Sequence, residues 1–126
     1  MVKETIGGKQ VINQPAGHVE NGESLEKAII RETQEETGWL VKPEGIIGIY
    51  PFTPEGQNST YHRACFFCSP IKQVSQTIDE DIDEAFWLSE TEITESPHRS
   101  PLVKKCIEDY KNGTILPLAL FCNDYL

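Results

Sequence analysis

The sequence predicts an α/β fold for residues 1–126, one domain in which a mixed β-sheet is sandwiched between α-helices, an α/β/α order of layers. Short runs rich in branched and aromatic residues, bounded by Gly, Pro, Asn and Ser, recur along the chain as strands. Two stretches, at about 23–37 and 101–112, carry apolar residues at helical spacing instead. The 126 residues, 38% of them hydrophobic, suffice for one modest core.

Taken in order, Met1–Thr5 looks like the end of a strand, and a turn at Gly7-Gly8 leads to a second strand at 9–14. The loop from Pro15 to Gly22 feeds the first helix, whose apolar stripe is marked by Leu25, Ala28 and Ile29. Gly38 is its stop signal. Residues 45–52, Gly-Ile-Ile-Gly-Ile-Tyr-Pro-Phe, form an apolar strand that enters a polar loop, Thr53 to Ser59. A strand from Tyr61 to Ser69 follows, then a flexible acidic connection to Asp83 and a short strand, Glu84 to Leu88. Ser100 caps the second helix with Pro101 in its first position, and Asn112-Gly113 closes it. Its buried stripe is read as Leu102, Cys106, Ile107 and Tyr110. No internal repeat or low-complexity segment interrupts this series.

A net charge of −9 argues against general affinity for nucleic acid or for anionic membranes. No apolar run reaches the roughly 18–20 residues of a membrane span and no signal peptide is visible, so the cytoplasm is the expected location. Cys65 and Cys68 are spaced like half of a zinc site, but a spacing of three in a strand sends them to opposite faces, and no second pair completes four ligands. Cys65, Cys68, Cys106 and Cys122 therefore read as buried free thiols.

The chemistry concentrates at the end of the first helix. Continuing the stripe of Leu25, Ala28 and Ile29 by one and two turns lands on Glu32 and Glu36, with Glu35 alongside. Like charges at this spacing repel by roughly 0.2–0.5 kcal/mol per exposed pair. Acids next to the negative end of the helix dipole each cost about 0.3–1 kcal/mol more. Stability alone does not select this arrangement. Oxygen-only ligands suit a hard cation such as magnesium, which binds a few carboxylates together with water and substrate phosphates.

The order Gly17, five residues, Glu23, seven residues, then Arg31-Glu32-Thr33-Gln34-Glu35-Glu36-Thr37-Gly38 resembles the signature of the Nudix hydrolases at every position that calls for one particular residue. Thr33, where a larger aliphatic is usual, and Ala16 before Gly17 are mild departures. The resemblance implies Glu32, Glu35 and Glu36 as metal ligands, with the Ala16 carbonyl completing the shell and Mg2+, or Mn2+ in its place, as cofactor. Gly17 is expected to supply permissive dihedrals. Glu23, Lys27 and Arg31 are spaced as a salt-bridge ladder supporting the loop, with Arg31 orienting a catalytic glutamate.

Residues 13–20, 81–87 and 99–103, with Tyr110 and Pro117-Leu118, further resemble the NudJ-type Nudix phosphatases. That likeness implies removal of terminal phosphate from nucleoside tri- and diphosphates and from hydroxymethylpyrimidine pyrophosphate, a small-molecule substrate. It also points to Asp81, six residues before Trp87, as a further anionic ligand, against its reading as a solvated loop acid. Nudix domains normally carry about two strands before the loop, so a domain shortened at its first strand is expected, with an open edge that leaves monomer and homodimer both possible.

In such a reaction water attacks phosphorus, and Glu32, beside Arg31, is the first choice of base, with Glu35 the second. Arg63 and Arg99 are phosphate clamps or surface arginines. His18 reaches the substrate or caps local backbone, and Tyr50 and Phe52 pack in the core or stack on a ring. Pro54, 15 residues beyond Trp39, is a weak marker of ADP-ribose specificity. A nucleotide-binding domain without turnover is the rival from another class, against which the intact set of Glu23, Arg31, Glu32, Glu35 and Glu36 argues.

Overall fold

In the computed structural model, which describes residues 1–126, the first two strands form a hairpin: β1 (Val2–Ile6) and β2 (Lys9–Asn13), in register from Val2 opposite Asn13 to Ile6 opposite Lys9. The two-residue link is Gly7-Gly8, both at positive φ, as the primed turns of tight hairpins require. β1 is the central strand of its sheet. Its other edge pairs antiparallel with β5 (Glu84–Ala85), and Val2 is 1% exposed.

Helix α1 (Leu25–Thr37) begins where the Ser24 hydroxyl accepts the Lys27 amide at 3.2 Å. It ends at Gly38, whose φ of 76° is left-handed. A side chain at Gly38 would also strike the Ser75 carbonyl, since a Cβ there would lie 2.0 Å from that oxygen. The chain turns directly into β3 (Trp39–Phe52), paired along its length with β4 (Tyr61–Gln73). Both strands are longer than 45–52 and 61–69. Residues 39–44, with Pro43 and two charges, lie outside the strands read from the sequence, yet Val41, Pro43 and Gly45 are buried while Lys42 and Glu44 are exposed, the alternation of a strand. Pro43 and Pro70 are accommodated beside shifts of register, at Pro43/Gly45 and at Leu40/Val41, where Val41 faces Pro70.

The α/β class holds, with the strands divided between a three-stranded sheet, β2-β1-β5, and the β3-β4 ribbon. Every strand pairing is antiparallel, and the parallel component of the expected mixed sheet reduces to one bridge between Ile12 and His98. The acidic connection is not a free linker. The Val74 amide donates to the Gly38 carbonyl at 2.8 Å, the Asp79 amide to the Glu35 carbonyl at 2.9 Å, and Ile82 is buried.

A short helix, α2 (Glu90–Glu95), follows β5; its sign in the sequence is the capping box Ser89–Glu92, easily passed over in six residues, three of them glutamate, without an apolar stripe. Helix α3 (Leu102–Asn112) starts with the Ser100 hydroxyl accepting the Leu102 amide. Its buried residues are Val103 and Cys106, one position round from the stripe centred on Leu102, so that Tyr110 is 44% exposed and stacks on Phe67 with centroids 5.1 Å apart. Ala28, Val41, Ile46, Ile82, Val103 and Cys106 join Val2 and Ile12 in the apolar core. No helix is long and apolar enough to cross a membrane.

Candidate functional site

Arg31 is the organising cation of the site. Its Nε and Nη2 donate to the two Glu23 oxygens at 2.8 and 2.9 Å, a bidentate fork, while Nη1 donates to Glu32 at 2.7 Å and to Glu35 at 3.3 Å. Nη2 also donates to the His18 carbonyl at 3.0 Å, so a single guanidinium ties the loop to two turns of α1. Hydrogen bonding to Arg31 holds the Glu23 carboxyl down at about 2, and the acids in turn push the Arg31 guanidinium well above its ordinary range. Glu23 thus reaches Arg31 directly, and Lys27 contributes its backbone amide to the Ser24 cap in place of a rung in the expected ladder.

Glu36 has the opposite environment. It is 8% exposed, and its carboxylate accepts the Ala16 amide at 3.2 and 3.5 Å. Burial pushes its carboxyl up to about 8, against the pull of the Ala16 amide, and the charges of Glu32, Glu4 and Asp79 push in the same direction. No lysine or arginine contacts it.

Gly17 lets the loop close over Glu32 by having no side chain. Its φ is not in the left-handed region, so the expected dihedral role is not the reason for glycine; a Cβ would lie 2.0 Å from the Glu32 carboxyl carbon. The Ala16 group turned toward the acids is its amide N–H, where a carbonyl was expected.

The three helix glutamates are not gathered into a ready cage, and no cluster of three metal-binding side chains is formed. Glu32 and Glu35 are drawn to Arg31, with Gly17 against Glu32, while Glu36 is held by the Ala16 amide. The donor chemistry nevertheless suits a hard divalent cation: oxygen donors only, one of them buried beside like charge and lacking a protein cation. Asp81 is exposed, and the charges that act on Glu36 are those of other acids. The acids that do face Glu36 from other elements are Asp79, in the connection, and Glu4, on β1. Glu4 was traceable from strand alternation, since it shares a face with buried Val2.

Arg99 donates to Glu4 at 2.7 Å and is engaged by that ion pair. Arg63 lies elsewhere, over the rings of Phe52 and Tyr61 at 5.5 and 5.8 Å. The His18 ring lies 5.9 Å from that of Tyr61, while the Tyr50 hydroxyl donates to Asp109 on α3 at 2.7 Å. A groove of about 550 Å³ borders the site, lined by Arg31, Gln34, Glu35, Ser75, Thr77 and Asp79 among others. Pro54 has a local task, its carbonyl accepting the Gln57 amide in a turn. Cys65 faces Cys106 across the β4–α3 junction, Cys68 is half-buried, and Cys122 is exposed where a buried thiol was expected.

Comparison with known proteins places this geometry in context. A family model described as the NUDIX domain matches residues 1–108. The chain is 37% identical over 123 residues to phosphatase NudJ of Escherichia coli strain K12, covering 95% of this chain and 79% of that protein, and equally to the Shigella flexneri protein of the same name. Among solved structures it is similar to a NUDIX hydrolase from Nitrosomonas europaea, with a TM-score of 0.90 and 39% identity over 98% of this chain and 87% of that one.

Proposed function

Because the chain belongs to the Nudix family and is a hydrolase acting on phosphoric anhydrides, we propose that it removes terminal phosphate from nucleoside tri- and diphosphates and from hydroxymethylpyrimidine pyrophosphate, using Mg2+. The observation that carries the metal part of this reading is Glu36, a buried carboxyl facing Glu32, Glu4 and Asp79 with only the Ala16 amide to offset its charge. A divalent ion is the neutralising group such a pocket lacks. Glu32, Glu35 and Glu36 would hold it, and when bound it supplies charge neutralisation at phosphate and a more acidic water.

The remaining work falls to the chain. Arg31 fixes Glu32 through Nη1 and, through its fork on Glu23, keeps that guanidinium from swinging out to solvent. With one Glu32 oxygen engaged by Arg31, the other is left to take a proton from water, and Glu35, on the same nitrogen at a longer distance, is the alternate base. Ala16 and Gly17 cover Glu36 and Glu32 and keep bulk water from them. The groove beside Arg31 and Glu35 offers room for a diphosphate.

Purified protein with Mg2+ is expected to release orthophosphate from nucleoside diphosphates and from the hydroxymethylpyrimidine ester. Glu36→Gln is expected to abolish that release. Saturable nucleotide binding with no orthophosphate released under Mg2+ or Mn2+ would overturn the reading in favour of a binding domain.

A further inference from the structure

The register of the β3–β4 ribbon sets Phe52 opposite Tyr61 and Tyr50 opposite Arg63. Residues two apart on a strand share a face, so all four side chains emerge on one side of the ribbon. Tyr50 is committed to α3 through Asp109. The other three are not. Arg63 spans Phe52 and Tyr61, and His18, from the loop tied to Arg31, comes within 5.9 Å of the Tyr61 ring.

Arg63 differs from the other two arginines of the chain. Arg31 and Arg99 are each held by carboxylates, whereas Arg63 has no acidic partner and donates no hydrogen bond, in a chain with 20 acidic residues. Its plane is steadied by two rings while its five N–H donors stay unmatched. A guanidinium presented that way can meet an acceptor-bearing edge, and rings beside it can meet a flat face. A nucleobase offers both.

We propose that Arg63, Phe52, Tyr61 and His18 form a nucleobase subsite, reading acceptors on the ring edge through Arg63 and stacking the ring against the aromatic side chains. The proposal rests on the phosphohydrolase reading above and names what sits at the other end of the substrate. His18 joins the two parts: its carbonyl is bound by Arg31, and its ring stands against Tyr61. Where the sequence leaves Arg63 between phosphate clamp and surface arginine, the subsite gives it a role in selecting the base.

Two measurements test it. In the first, isotope-labelled protein in EDTA is titrated with uridine, which has no phosphate and needs no metal. Saturable shifts at the Arg63 Nε–H and around Tyr61 are expected, with affinity weakened roughly tenfold or more in Tyr61→Leu and in Arg63→Lys, the scale of one lost base contact. Shifts absent from this face, or unaltered by both variants, would overturn the subsite whatever the enzyme hydrolyses.

In the second, the ratio of kcat/KM for uridine diphosphate to that for methyl diphosphate, which has no ring, is compared between wild type and Arg63→Lys. A fall in that ratio of roughly tenfold is expected. An unchanged ratio would mean that Arg63 acts on phosphate or on the fold, and the proposal would fail. Should neither diphosphate be hydrolysed, the phosphohydrolase reading fails, and the uridine titration still decides the subsite.

Discussion

Where α3 packs on the β3–β4 ribbon, the buried side chains are Val103, Cys106 and Ile46, and the polar pair at that junction, Tyr50 and Asp109, is closed by a hydrogen bond of 2.7 Å. Where α1 ends beneath the loop at Ala16-Gly17, the buried residues include Thr33 and Glu36, and the acid there meets other acids. The first region has the composition that folding selects: apolar volume and satisfied polar groups. The second keeps a carboxyl out of water without a cation to match its charged form, so the group must take up a proton on burial, at a cost to stability. A fold tolerates such a group only where something besides folding requires it, and the contrast separates the scaffold from the site.

The strongest way to break that contrast is Glu36→Gln. Turnover should fall by about a hundredfold or more, the scale of losing an electrostatic group at a reacting centre. In EDTA the same variant should melt several degrees higher at neutral pH, because a neutral amide replaces a carboxyl that must take up a proton to be buried. A metal-free variant that melts lower than wild type would show that Glu36 is a structural acid, and the distinction between the two regions would be lost.

Gly17→Ala should act on the loop side of the same region. Its methyl would displace the Glu32 carboxyl by occupying the same space, so kcat/KM should drop by roughly ten- to a hundredfold, with binding of metal weakened in calorimetry. Val103→Ala is the counterpart in the apolar region, where a fully buried side chain loses two methyl groups. About 2 kcal/mol of stability should go, read from urea unfolding, while kcat/KM per folded molecule is kept.

The smallest effect concerns pH. Glu23 is depressed to about 2 from 4.5 by Arg31, so the stability it contributes is present above 4.5 and is lost as pH falls through about 2. Thermal melts of Glu23→Gln across that acid range should lose part of the slope that wild type shows. An identical slope would mean that the fork contributes nothing on folding.

The division between legible and illegible features follows the same boundary. Arg31, Glu32, Glu35 and Glu36 could be found because acids on the apolar stripe of a helix contradict stability, and α1 itself was clear from its period and from Gly38. Long-range partners left no local trace. Asp79 rather than Asp81 faces Glu36 because the connection docks its backbone on the Glu35 carbonyl, and nothing in an acidic run of residues announces which one will point inward. Arg99 looked free until β1 brought Glu4 to it across 95 positions of sequence. Trp39–Glu44 was missed as strand since proline and two charges masked an alternation that burial makes plain.

The slips in the β3–β4 ribbon have a consequence for how the molecule lives among copies of itself. Fourteen and thirteen residues long, and paired with each other save for a bridge between Ile46 and Leu116, its strands carry outer rows of peptide groups on which a neighbouring chain could template growth. Three prolines without amide hydrogens, Pro43, Pro51 and Pro70, and three breaks of phase chop those rows into segments of a few residues. Fibre formation needs an unbroken track, so crowding should leave this protein dispersed even though its longest ribbon ends in open edges.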